Sequence, residues 1–122
     1  MWARVAGSAG TNAEVQNMAA LRARLIDRVA KFGVEERELP GRDDGFSSLC
    51  YGGKSFAHFH NDNELDIRLT KAVIVREGLT HPTDSTVHPN RAESSHWIEI
   101  RFHSTADLDR VVRLVKLAIE DM

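Results

Sequence analysis

Four residues in the middle of the chain have types and spacings that suit acid–base or metal chemistry. His58 and His60 form a His-x-His pair in one alternating run, and Asp66 and Arg68 stand two positions apart in the next. Because side chains alternate across a strand, both imidazoles should leave the same face, about 7 Å apart. The alternation therefore predicts that these four residues form a polar row on one face of a sheet.

The partner of His58 in the next strand depends on the length of the turn between the two runs. A two-residue turn at residues 62–63 would pair Phe59 with Asp66 and break the apolar pattern. An odd-numbered loop of three or five residues pairs Phe59 with Leu65 and His58 with Asp66. We therefore predict an odd loop, with His58 and Asp66 about 5 Å apart on the polar face.

The row suits general acid–base catalysis. A carboxylate beside an imidazole fixes its tautomer and raises its basicity, so Asp66 would orient His58 or His60 as a base. Arg68 would hold a carboxylate, phenolate or enolate anion. The structural alternative is a cross-strand ion pair that only fixes the register.

The same row also suits a metal ion. Two imidazoles on one strand face are a ligand pair for zinc or non-haem iron, so His58 and His60 are the expected ligands if a metal is present. A third ligand would come from Asp66, Glu64, His81 or His88. The sequence has neither an HExxH nor a CxxC motif. No cofactor is predicted, and zinc or iron stays an alternative to a hydrogen-bonded histidine row.

Aromatic residues and further histidines flank the row. A polar face set among apolar walls is typical of a small-molecule pocket rather than of a solvated surface. A long segment without apolar periodicity, Thr80–Ser95, could close over this face. The expected substrate-binding residues are Tyr51, Phe56, His81, His88, His96, Trp97 and Glu99.

The elements that must position these residues follow from periodicity. A capping box of Thr11 and Glu14 opens the first helix. Helical stripes, alternating runs and turn residues predict the other elements. In order they are helix Thr11–Phe32, strands Val34–Leu39, Phe46–Tyr51, Lys54–His60 and Glu64–Thr70, short helix Lys71–Leu79, strand His96–Phe102, and a last helix capped by Ser104. This order predicts an α+β fold: a two-layer sandwich in which an antiparallel sheet of about five strands carries two long amphipathic helices on one face, with one short helix besides.

Length and composition limit the class of protein. We expect a flexible tail over residues 1–10 and one domain over residues 11–122. A net charge of −2 argues against a nucleic-acid partner, and no apolar run approaches the roughly 20 residues of a membrane span. The single cysteine, Cys50, cannot form an internal disulfide, which favours a reducing, cytoplasmic location. The expected partner is a small molecule, and the oligomeric state stays open.

The run from Leu49 to Thr70 resembles the signature of the luciferase-like domain family, which includes fungal luciferase. The family pattern is Phe-Ala-His-x-His, a polar turn, Leu-Asp-x-x-Leu, a short helix ending in Gly, a His-containing loop, Ser-x-Trp and an Asp-containing helix. Matching positions are His58, His60, Leu65, Asp66, Leu69, Gly78, His81 or His88, Ser94 or Ser95, Trp97 and Asp107. Asn61 stands where the family has Pro, and His96 where it has Gly.

The resemblance implies an oxygenase-like activity. The fungal enzyme is similar to an oxygenase that acts on a hispidin-type pyrone without an organic cofactor, whereas light emission does not carry over. By resemblance, the site comprises the polar row, the loop histidines and Trp97. We therefore expect an oxygenase-like enzyme for a small enolisable or aromatic substrate. The alternative is a non-catalytic module that binds a small ligand or a metal.

Overall fold

The computed structural model describes residues 12–42 and 44–122. Its elements are α1 (Asn12–Ala30), β1 (Glu35–Glu38), β2 (Ser47–Tyr51), β3 (Lys54–Asn61), β4 (Glu64–Arg68), α2 (Lys71–Arg76), β5 (Trp97–Arg101) and α3 (Thr105–Glu120). The tail predicted for residues 1–10 and the capping box on Thr11 lie outside the described residues. None of the helices in this part of the chain is long and apolar enough to span a bilayer.

The strands form one five-stranded antiparallel sheet in the order β1-β2-β3-β4-β5. Two-residue turns join β2 to β3 and β3 to β4. Connections this short can link only antiparallel neighbours. α2 and a long loop lie between β4 and β5. The predicted α+β class is confirmed.

The core lies between the sheet and the two long helices. α3 presents Leu108, Val111, Leu114 and Val115 at helical spacing, and all four are buried. Its first turn is closed by Ser104, whose hydroxyl accepts from the Asp107 amide at 3.2 Å, as the sequence predicts. The buried core also includes Leu21, Leu25 and Val29 in α1 and Leu49, Phe56, Ala57, Phe59, Leu65, Ile67, Ile98 and Ile100 in the sheet.

The hairpin of β3 and β4 pairs His58 with Asp66 and Phe59 with Leu65, so the predicted register is confirmed. The predicted odd loop is wrong, because the turn has two residues, at positions 62–63. A β-bulge between Phe59 and Asn61 adds the residue that restores the alternation. The two apolar partners stay under the helices, and the ionisable pair stays on the opposite face.

A second bulge, in the hairpin of β2 and β3, changes which side chains face His58. Leu49 pairs with Ala57 and Cys50 with Ser55, which leaves Phe56 as the extra residue. Phe56 is only 2% exposed and packs in the core, so its expected place beside the histidines is wrong. Ser48 is the residue that pairs with His58.

Arg22 of α1 ties the helix layer to one end of the sheet. Its side chain is 13% exposed, and its guanidinium lies 4.4 Å from the centre of the Phe59 ring. The groups it contacts are Gly45 O at 2.7 Å, Ser47 Oγ at 2.9 Å, Asp62 Oδ1 at 3.2 Å and Glu36 Oε2 at 3.3 Å. Arg22 is therefore a structural arginine rather than part of a solvated helix face.

The Arg22→Met variant is expected to lose about 2–3 kcal/mol of the free energy of unfolding, because methionine keeps the packing of the stem but leaves charged partners without a donor. The matched control is Arg24→Met on the same helix, where the arginine is exposed. Urea unfolding measures both variants, with the change read from the midpoint at constant slope. Equal midpoints for the two variants would contradict the role given to Arg22.

Candidate functional site

The sheet face opposite the helices carries buried charges under a covering loop, residues 77–96. Asp66 and Glu99 pair across β4 and β5, and their side chains are only 3% and 2% exposed. Arg91 of the covering loop donates to both carboxylate oxygens of Asp66, with Nη2 2.9 Å from Oδ2. Ser85 of the same loop donates to Glu99 Oε1 at 3.0 Å. These bonds hold the loop over the face, as the sequence predicts.

Three flat side chains stack at the mouth of this region. The His58 ring lies between Trp97, at a centroid distance of 5.2 Å and 8° between planes, and Phe46, at 5.4 Å and 21°. Ser48 Oγ is 3.1 Å from His58 Nδ1. The stack fixes the plane of the imidazole, and the serine fixes its rotation. His58 is therefore preorganised by neighbours on β2 and β5.

The stack borders a cavity of about 390 Å³, here called the aromatic cleft. Its size is in the range for a small-molecule site. Its lining residues are Phe46, His58, His60, Asp66, Val87, His88, Arg91 and Trp97. A second cavity of about 480 Å³ adjoins it, and His88 and Arg91 line both.

Deeper in the cleft, His60 lies between the two buried carboxylates. Its Nε2 is 4.0 Å from Asp66 Oδ2, and its Nδ1 is 3.4 Å from Glu99 Oε1. His88 Nε2 approaches Asp66 Oδ2 to 3.5 Å, and the two imidazole rings are 5.2 Å apart. A metal ion would fit His60, Asp66 and His88, whose ligand atoms all lie within 4.8 Å of one another. Of the two predicted metal ligands, His58 and His60, this cluster contains only His60.

Burial lowers the pKa of two histidines that border the cleft, His58 and His88. It lowers the pKa of His58 below its usual value, against an opposing effect of the Asp66 carboxylate. It also lowers the pKa of His88, and the nearby Arg91 cation adds to that shift. Both imidazoles are therefore neutral at pH 7, which is the form that accepts a proton or binds a metal.

Glu99 stays ionised although it is buried. Burial alone would raise its pKa, but the hydrogen bonds from Ser85 and Arg101 and the charge of Arg101 help to lower the pKa below its usual value. Arg101 Nη2 lies 3.1 Å from Glu99 Oε2. A fixed negative charge therefore lies 3.4 Å behind His60, next to its Nδ1.

The structure brings together six of the predicted site residues: His58, His60, Asp66, His88, Trp97 and Glu99. Arg68 is not among them. It is exposed and lines a separate cavity with Ala118 and Asp121 near the end of α3. The arginine that reaches Asp66 is Arg91. The prediction that Arg68 holds the substrate anion is therefore wrong, because Arg68 does not lie in the cleft.

Four other predicted residues lie elsewhere. Tyr51 is 37% exposed and lies beside Gly33, in the connection between α1 and β1. The His96 ring accepts from the Lys71 amide at 2.8 Å, so it closes the start of α2. His81 lines the adjoining cavity, where its Nε2 is buried without a hydrogen-bond partner among the described residues. Phe56 is in the core, as shown above.

Four residues of the site were not predicted: Phe46, Ser48, Val87 and Arg91. The only sequence signal for Arg91 was its place as the sole arginine of the long loop. Phe46 stands just before β2, next to Gly45, although the sequence placed it at the start of the predicted strand Phe46–Tyr51. Ser48 would follow from the alternation once the bulge at Phe56 is known.

The sequence matches the family model of the luciferase domain over residues 53–118, which is more than half of the chain. The chain belongs to the luciferase domain family. This luciferase domain match runs from the start of β3 into α3, so it includes His58, Asp66, Arg91 and Trp97. Searches of the curated proteins and of the solved structures found no match.

Proposed function

We propose that this luciferase domain is an oxygenase-like enzyme that binds a small, planar, enolisable or aromatic substrate in the aromatic cleft. The observation that carries the proposal is the stack of Phe46, His58 and Trp97 at the cleft wall. The stack presents an imidazole and two apolar rings to the same cavity. A planar ligand gains apolar and stacking contacts there while its acidic proton lies near a base.

His58 is the proposed general base. In the tautomer with its proton on Nδ1, it donates to Ser48 Oγ, and Nε2 keeps a lone pair for the substrate proton. Its lowered pKa keeps the imidazole neutral and ready to accept that proton at pH 7. The Asp66 carboxylate stabilises the imidazolium that forms, because its charge favours the protonated ring.

Arg91 is the proposed partner of the substrate anion. Its guanidinium lines the cleft and uses two N–H groups on Asp66, which leaves donors of its five for an enolate or phenolate oxygen. The proton passes from the substrate to His58 Nε2, and the substrate anion then gives two electrons to dioxygen as a carbon–oxygen bond forms. His58 returns its proton to the resulting peroxide. This chemistry requires no organic cofactor, in keeping with the family resemblance.

The proposal is tested with hydroxylated α-pyrones as probes and their O-methyl ethers as controls. Binding is followed by calorimetry and dioxygen uptake with an oxygen electrode, both in the presence of a chelator. We expect binding and substrate-dependent uptake with the free hydroxyl compounds, and binding without uptake with the ethers, because the ethers have no acidic proton to lose.

Two outcomes would count against an oxygenase. Binding of the free hydroxyl compounds with no dioxygen uptake would favour the alternative of a non-catalytic ligand-binding module. Absence of binding across the series would contradict the assignment of the aromatic cleft to planar substrates.

A further inference from the structure

We propose that His60 Nε2, His88 Nε2 and Asp66 Oδ2 form a binding site for a divalent transition-metal cation. The inference goes beyond the proposed function, because metal binding requires neither His58 nor a substrate. Two imidazoles and one carboxylate are a ligand set that suits zinc or ferrous iron. The three residues come from β3, from the covering loop and from β4, so the fold assembles the set from distant parts of the chain.

Two of the three distances between ligand atoms are close to those around a coordinated ion, and the third, between the two imidazole nitrogens, is within 4.8 Å. Ligands at 2.0–2.1 Å from a tetrahedral zinc ion lie roughly 3.3 Å from one another. Asp66 Oδ2 is 3.5 Å from His88 Nε2 and 4.0 Å from His60 Nε2. Closing the site therefore needs side-chain shifts of well under 1 Å on these two edges. His88 can move by this amount, because its side chain is 36% exposed and lies on the covering loop.

The surroundings of His60 are the independent sign that a ligand belongs here. Its side chain is 4% exposed, yet Nδ1 has no hydrogen-bond partner among residues 12–42 and 44–122. Buried polar atoms are nearly always satisfied, so an unpaired one needs an explanation. Glu99 Oε1 lies 3.4 Å from Nδ1 without bonding geometry. A small rotation of the ring on metal binding would point Nδ1–H at this carboxylate.

That rotation would complete the usual arrangement of a metal-bound histidine. A ligating imidazole commonly donates its other N–H to a carboxylate, which fixes the ring and raises its basicity. Glu99 is itself held in place by Ser85 at 3.0 Å and Arg101 at 3.1 Å. Glu99 is therefore a positioning residue for His60 in this proposal.

The charges around the cluster favour this set over its neighbour. A second group, His60 with Glu64 and Glu99, also lies within ligand distance, but Arg101 already pairs with both carboxylates. Arg91 pairs with Asp66, yet Asp66 Oδ2 keeps a second lone-pair site free for a cation. A cation at the proposed site would supply a Lewis acid at the polar end of the aromatic cleft.

The experiment uses the full chain freed of metal with a chelator, then titrated with Zn²⁺ by calorimetry and with Co²⁺ by visible absorption. We expect one ion per chain, d–d bands in the cobalt spectrum, and a melting temperature raised by roughly 10 °C at a hundredfold excess over Kd. His60→Asn, His88→Asn and Asp66→Asn should each abolish stoichiometric binding. Glu99→Gln should weaken binding by about 10- to 100-fold.

Two matched variants keep the test specific. His103→Asn removes an exposed imidazole outside the site and should bind metal as the wild type does. His58→Phe should also keep metal binding, whereas a site built on the His-x-His pair would lose it. Circular dichroism of each metal-free variant identifies loss of fold, and binding by a folded His88→Asn variant would overturn the proposal. Absence of stoichiometric binding by the wild type would do the same and would leave the role of His58 intact.

Discussion

The Asp66→Ala variant is expected to lose about 3–5 kcal/mol of the free energy of unfolding, which is the usual cost of removing one partner of a buried ion pair. Asp66 is 3% exposed and Arg91 10% exposed. Without the carboxylate, the guanidinium would stay in the cleft with no counter-charge, or the loop would open to hydrate it. The melting temperature should fall by roughly 10 °C or more.

A second carboxylate–arginine pair provides the control for this prediction. Asp84 of the covering loop lies 2.8 Å from Arg101, but the Asp84 side chain is 74% exposed. Asp84→Ala should therefore change the free energy of unfolding by less than about 1 kcal/mol. Thermal unfolding compares the two variants in chelator, so that no metal contributes.

Limited proteolysis gives a local readout of the same change. If the bond to Asp66 holds the covering loop in place, cleavage within residues 77–96 should become faster in Asp66→Ala and stay unchanged in Asp84→Ala. The double variant Asp66→Ala/Arg91→Met should recover part of the lost stability, because it leaves no buried charge unpaired. A melting temperature for Asp66→Ala no lower than that for Asp84→Ala would show that the pair does not hold the loop.

The sequence was sufficient to predict the pairing of His58 with Asp66, because two constraints acted on it at once. Leu65 and Ile67 had to face the helices. Because side chains alternate along a strand, Asp66 then had to lie on the opposite face. The turn that achieves this pairing was predicted incorrectly. A two-residue turn with a bulge gives the same alternation as an odd loop, and the apolar pattern cannot distinguish them.

The bulge at Phe56 explains the errors on the neighbouring strand. A bulge changes the face of every residue beyond it, and Phe56 and Leu49 are equally apolar on either face. The apolar pattern therefore fits the alternation without the bulge as well as it fits the alternation with it. As a result, Phe56 was placed in the pocket rather than in the core, and Ser48, the contact of His58, was missed.

The arginine of the site could not be chosen from the sequence. Arg68 stands two positions after Asp66 in β4, as the alternation required. However, it lies at the end of the strand, opposite Trp97, and its long side chain points away from the cleft into a separate cavity. Arg91 reaches Asp66 from 25 residues away through the path of the covering loop. A loop without periodicity gives no such path, although its unusual length suggested that it could close over this face.

The His58→Phe variant is expected to lose dioxygen uptake by a factor of 10²–10⁴, which is the usual contribution of a positioned general base. Phenylalanine keeps a flat ring between Phe46 and Trp97, so the dissociation constant of the pyrone should change by only a few-fold. The loss should therefore fall on kcat rather than on binding. The measurement is steady-state uptake with the fastest pyrone, beside calorimetric binding of its O-methyl ether.

Two further variants test whether His58 acts as the general base or has only a structural role. Ser48→Ala removes only the hydroxyl that holds Nδ1, so it should lower kcat less than His58→Phe does, because the imidazole remains but its rotation is no longer fixed. His103→Phe makes the same replacement at an exposed site and should leave uptake unchanged. If His58→Phe binds the ether normally and keeps uptake within a few-fold of wild type, the base is another group. His60, already surrounded by Asp66 and Glu99, would be the residue to test next.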